Sequence, residues 1–99
     1  GFLELVMTIR SFKCKGLKKY FETGSTAGIL PSLAFKIELI LDRLDASIDA
    51  NDMNYPGSDF HQLKGQLKGF YSVHVNGNWT IIFGFGDGEA FDVDLVDYH

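Results

Sequence analysis

Three histidines, His61, His74 and His99, are the side chains best suited to moving a proton near neutral pH. Each taken alone also fits a solvent-facing imidazole with no chemical task, and His74 fits that description best because it alternates with Ser72 on a polar strand face. Their spacing matches no metal-ligating pattern. The one cysteine, Cys14, lies between Lys13 and Lys15; it excludes an intramolecular disulfide and a thiolate zinc site, and fits a reducing cytosol. Gly84, Gly86 and Gly88 belong to a hairpin turn rather than to a phosphate loop opening a helix. No HExxH or nucleophile-elbow pattern is present. The sequence therefore points to no metal and no cofactor.

RNA as a target gives these residues a common task. Internal cleavage needs a base for the 2′-hydroxyl proton, an acid for the leaving 5′-oxygen, and a cation for the charge on the transition state. His61, Lys64 and His99 can supply these without a metal. Tyr71, Trp79 and Tyr98 can stack on bases. The net charge of −4 and the pI of about 5.1 argue against nonspecific polyanion binding. The charge is uneven, however: Lys13, Lys15, Lys18 and Lys19 crowd one short segment, while the chain from Asp87 onward has five acids and no Lys or Arg.

These side chains need a scaffold. At 99 residues and 45% hydrophobic, the chain is long enough for one domain with its own core. No apolar run approaches the ~20 residues needed to span a bilayer. Residues 1–6 read as an added leader before a native start at Met7. Thr8 to Phe12 is short and β-prone. Lys15 to Glu22 sets Leu17, Tyr20 and Phe21 on one helical face, and Gly24 stops that helix. From Pro31 to Ile48, the residues Leu33, Ile37, Ile40, Leu41, Leu44 and Ile48 form one apolar stripe. Residues 49–59 read as loop, with Tyr55-Pro56-Gly57 as a turn. Residues 60–69 read as irregular with room for a brief strand.

Three strand runs follow. Residues 70–75 and 79–85 are joined by Asn76-Gly77, the dipeptide favoured in a type I′ turn. Residues 89–98 follow Gly86-Asp87-Gly88. Alternation places Trp79, Ile81, Phe83, Phe91, Val93 and Leu95 on one apolar face that the helices would cover. The order β-α-α-β-β-β gives an α+β domain over residues 7–99, with two helices packed on one face of a twisted antiparallel sheet.

Four stretches carry a resemblance. The run from Met7 to Gly24 fits MxIRSFxxKGLKxxFExG, residues 61–65 fit HxLKG, residues 69–79 read GFYSVHVNGNW, and the chain ends on VDYH. Together they resemble the HigB plasmid-maintenance toxins of the RelE superfamily, from Met7 to His99. The resemblance implies a RelE-like fold and a ribosome-dependent endoribonuclease that cuts mRNA. It implies a HigA-like helix-turn-helix antitoxin as partner, with DNA met only through that antitoxin. His61 and His99 would transfer protons, Lys64 would neutralise phosphate charge, and Asp97 and Tyr98 would position the mRNA or His99. Which histidine is the base stays open.

The family pattern has an arginine after the tryptophan; here Thr80 follows Trp79. Arginine clamps a phosphate bidentately, which threonine cannot. Lys68 and the cluster of Lys15, Lys18 and Lys19 are the candidate RNA-contacting cations that would compensate. The competing expectation is a module that keeps the fold and binds its antitoxin but does not cleave RNA.

Overall fold

The computed structural model of the chain describes residues 8–98. The reading of residues 1–6 as a leader, and the proton-transfer role expected of His99, both fall outside those residues. Two helices, α1 (Lys15–Thr23) and α2 (Ala34–Asp45), precede a four-stranded antiparallel sheet in the order β1 (His61–Gln62), β2 (Phe70–Asn76), β3 (Trp79–Gly86), β4 (Glu89–Asp97). The fold is α+β, as the residue pattern predicts. No helix among the described residues is long and apolar enough to cross a membrane.

The helix α1 ends where Gly24 takes the left-handed conformation, and the Gly24 N–H donates to the Tyr20 carbonyl at 2.9 Å. Its start is fixed by a close backbone approach. A Cβ on Gly16 would sit 2.4 Å from the Gly28 carbonyl oxygen, so only glycine lets α1 rest against the segment leading into α2. That segment opens α2 with a 3-10 turn, Pro31–Leu33, with proline in the first turn as its missing N–H favours.

The α2 stripe is buried at Leu33, Ile37, Ile40, Leu41 and Leu44. Ile48 departs from the expectation. The helix stops at Asp45, and Ile48 is 80% exposed. The Asp45 carboxylate accepts the backbone N–H groups of Thr8 and Ile9 at 3.0 and 3.2 Å, which ties the N-terminal segment to the end of α2. Asp49 then starts a separate 3-10 turn, Ala50–Met53, with a reciprocal capping box to Asp52. Ile48 is thereby out of helical phase with the stripe.

The first expected strand is reduced. Ile9 and Phe12 make isolated parallel bridges to Ala90 and Val93, with Arg10 and Lys13 donating to the carbonyls of those same β4 residues at 2.7 and 2.8 Å. A bulge at Asp92 separates the two bridges. Asp92 has φ 51°, a conformation that aspartate tolerates better than most residues, and its N–H donates to Ser11 Oγ at 2.9 Å. The β3–β4 register shifts by one residue there.

The bulge corrects the expected face of Phe91. Val93 and Leu95 face the helices with Ile81 and Phe83, but before the bulge it is Ala90 that points inward. Phe91 turns to the other face, covers Gly84 and meets Phe70 edge-on at 5.6 Å between ring centroids. A Cβ on Gly84 would lie 2.3 Å from the Phe91 ring.

The hairpins also differ from expectation. Asn76 pairs with Trp79, so Gly77 and Asn78 are the central turn residues, and of the two only Gly77 has positive φ, which is the II′ pattern. The two positive φ values of a type I′ turn occur instead at Asp87 and Gly88, between paired Gly86 and Glu89.

The core lies between the helices and one sheet face, around Leu17, Ile37, Leu44, Val73, Ile81, Phe83 and Val93. Among the described residues, no α-helix covers the opposite face of the sheet. That face carries Phe70, Ser72 and His74 from β2 with Thr80 and Ile82 from β3. Ser72, Thr80 and Ile82 are nevertheless buried, because side chains of the flanking strands and the 59–67 segment stand around them.

Candidate active site on the open sheet face

The open face holds a cavity of about 370 Å³ whose walls include His61, Lys64, His74, Thr80 and Tyr98. Asp59 and Ser72 also border it. Each wall residue arrives by a different local rule. His61 sits on the two-residue edge strand β1, where it pairs with Ser72. Lys64 lies two residues beyond that strand and directly precedes a 3-10 turn, Gly65–Leu67. His74 and Thr80 are cross-strand partners on β2 and β3. Tyr98 is fixed at the end of β4 by its N–H, which donates to the Asn78 carbonyl at 2.8 Å.

The His61 ring is oriented from behind. Its Nδ1 lies 2.8 Å from the Asp59 carbonyl oxygen. A carbonyl can only accept, so Nδ1 carries the hydrogen, and in the neutral ring the lone pair is on Nε2. Asp59 presents that carbonyl from a left-handed backbone, φ 49°, and its carboxylate Oδ1 stands 3.7 Å from the same nitrogen. Both side chains are largely exposed. The arrangement is a base with its accepting nitrogen directed away from its anchor.

The loop behind Asp59 is firmly held. Ser58 is fully buried, its hydroxyl accepts the Tyr55 N–H at 3.2 Å, and its carbonyl accepts the His74 N–H at 2.7 Å. Arg43 lies over the Tyr55 ring at 4.8 Å. Burial pushes the Tyr55 hydroxyl above its ordinary pKa, with the Arg43 charge opposing, so the residue stays a neutral phenol.

Among the described residues bordering the cavity, Lys64 is the one Lys or Arg. Thr80 occupies the place where the family pattern has arginine, and it is 8% exposed. It gives this wall a hydroxyl and no charge.

The structure brings together His61, Lys64 and Tyr98. It leaves seven of the expected site residues elsewhere. Tyr71 and Trp79 pack against the core on the covered face; Tyr71 stacks between Phe60 at 5.6 Å and Phe83 at 5.7 Å. Lys15, Lys18 and Lys19 are exposed on α1, and none borders the cavity. Lys68 ends the Gly65–Leu67 turn outside the cavity wall. Asp97 pairs with Trp79, so alternation puts it on the Trp79 face rather than with Tyr98.

His74 is the wall residue that sequence reasoning set aside. Its Nε2–H donates to the Gly77 carbonyl at 2.9 Å. The signal was available: Ser72, His74 and Thr80 form a polar set on one sheet face, next to the edge strand that carries His61.

Comparison with known proteins gives a consistent picture. A family profile described as a RelE-like toxin of the type II toxin-antitoxin system HigB matches residues 10–99. Endoribonuclease HigB of Proteus vulgaris is 37% identical over 91 residues, covering 92% of this chain and 99% of that protein. Toxin HigB-1 of Vibrio cholerae serotype O1 is 34% identical over 90 residues, covering 85% and 90%. Among solved structures, the Staphylococcus aureus YoeB-YefM toxin-antitoxin complex contains a chain with TM-score 0.59 and 18% identity, covering 92% and 97%. The YoeB dimer of the same organism gives TM-score 0.58 and 18% identity, covering 93% and 98%. These two share the fold.

Proposed function

This chain belongs to the HigB family of RelE-like toxins from type II toxin-antitoxin systems, and we propose that it is the endoribonuclease of its pair, cutting messenger RNA by attack of a 2′-hydroxyl on the adjacent phosphate. The observation that carries this reading is the His61 ring, anchored through Nδ1 to the Asp59 carbonyl and sharing a cavity wall with Lys64 and Tyr98.

In this mechanism His61 Nε2 takes the 2′-hydroxyl proton as the 2′-oxygen bonds to phosphorus. Lys64 stabilises charge on the non-bridging oxygens. The P–O5′ bond breaks, and the leaving oxygen takes a proton from an acid, a role proposed for His99 on the family resemblance alone. Tyr98, which borders the same cavity, orients the RNA. The products are a 2′,3′-cyclic phosphate and a free 5′-hydroxyl. Asp97 acts from the neighbouring face as a positioning residue.

The charge supports ribosome dependence. A chain of net charge −4 with a single lysine on the cavity wall neutralises few phosphates, and its own affinity for RNA is low. Something else must hold the message, and the translating ribosome holds it one codon at a time. The expected result is codon-linked cutting when the purified protein is added to a translating mixture, and little cutting of the same mRNA alone. Equal cutting of naked RNA would contradict the ribosome requirement. The partner that restrains the toxin is an antitoxin, proposed to be HigA-like with a helix-turn-helix domain, and the pair acts in the cytoplasm.

A further inference from the structure

A second cavity of about 370 Å³ lies further along the same open sheet face. Its lining is apolar at Leu67, Phe70, Ile82 and Val96, and Asp92, Asp94 and Lys13 also border it. Phe70 and Ile82 are two residues along their strands from Ser72 and Thr80, which border the first cavity. Two residues of strand span about 7 Å. A single-stranded RNA seated in the first cavity therefore reaches the second within about one nucleotide.

From this placement we propose that the second cavity is the specificity subsite for a nucleotide flanking the cut, selecting bases with an exocyclic amino group over uracil. The proposal rests on the nuclease reading above. The apolar lining suits a base face, and Lys13 suits the phosphate beside it. Asp94 supplies the selection. Its Oδ1 accepts the Leu95 N–H at 2.9 Å, which fixes the carboxylate, and Oδ2 has no partner among the described residues. The neighbouring acid, Asp92, is committed to Ser11 and the bulge. A carboxylate accepts hydrogen bonds from an amino group of cytosine, adenine or guanine, but meets repulsion from the O4 of uracil.

The test is cleavage-site mapping by 5′-end sequencing in a translating mixture, comparing the parent chain with Asp94→Asn and Asp94→Ala. Parent cuts should be depleted of uracil at one fixed position beside the scissile phosphate. Asp94→Asn, whose amide can donate to O4, should raise the uracil share there about tenfold, and Asp94→Ala should flatten the preference. Lys13→Ala should lower cutting at all sites while leaving the base preference intact. If the parent and both Asp94 variants cut with one base distribution, the subsite is wrong and the nuclease reading stands. If the parent makes no cuts, the nuclease reading fails and the subsite fails with it.

Discussion

Replacing His61 with alanine should lower the rate of mRNA cleavage by about 10²–10⁴-fold, the usual contribution of a positioned general base. Measured in a translating mixture, the loss should fall on the chemical step. His61 is 63% exposed on a two-residue edge strand, and its ring bond is a single contact to the Asp59 carbonyl. Stability should therefore change by no more than about 0.5 kcal/mol. His61→Gln keeps a polar side chain but no titrating nitrogen, and should be as inactive as alanine. An active His61→Gln would show that the ring positions RNA without moving a proton.

The second large effect is structural. Phe83 is fully buried at the centre of β3, where its ring lies 5.7 Å from that of Tyr71. Phe83→Ala should cost about 3–5 kcal/mol, from lost transfer energy and the cavity left behind. A domain of this size holds only about 5–15 kcal/mol in total. Urea denaturation should show the midpoint falling sharply, and cleavage should fall in proportion to the folded fraction. His61→Ala, by contrast, should leave the urea midpoint in place. The two variants separate the two faces of the sheet, one side holding the fold and the other doing the chemistry.

Much of this division can be read in the residues. The helices follow from the i, i+3, i+4 spacing of Leu17, Tyr20 and Phe21 and from the α2 stripe, and the meander follows from period-two alternation. Sequence patterning failed where a tertiary contact overrode the local period. Phe91 continues the alternation of Val93 and Leu95 on paper, but the Ser11 hydroxyl and the left-handed Asp92 insert one residue and reverse its face. Ile48 continues the helical stripe, but α2 ends where Asp45 caps the segment at Thr8 and Ile9. Neither partner is near in sequence, so no local window contains the cause.

The site was legible to the same extent. His61, Lys64 and Tyr98, singled out by their chemistry and by the HxLKG and DYH patterns, border one cavity. Tyr71 and Trp79 were expected to stack on bases, yet strand parity assigns them to the covered face with Val73 and Ile81. His74 was discounted because it alternates with Ser72 on a polar strand face. Its meaning depends on the β2–β3 register that sets it beside Thr80. The Thr80 hydroxyl in place of an arginine leaves Lys64 as the cation of that wall, so cleavage should depend on Lys64 to an unusual degree.

The most direct test of the proposed chemistry is the identity of the RNA ends. Messenger RNA cut by the protein in a translating mixture, isolated and assayed by end-specific ligation and phosphatase treatment, should carry a 2′,3′-cyclic phosphate upstream and a 5′-hydroxyl downstream. Those ends require the 2′-oxygen to be the nucleophile, as the base role of His61 demands. A 3′-hydroxyl upstream and a 5′-phosphate downstream would mean that water is the nucleophile, and would contradict the account.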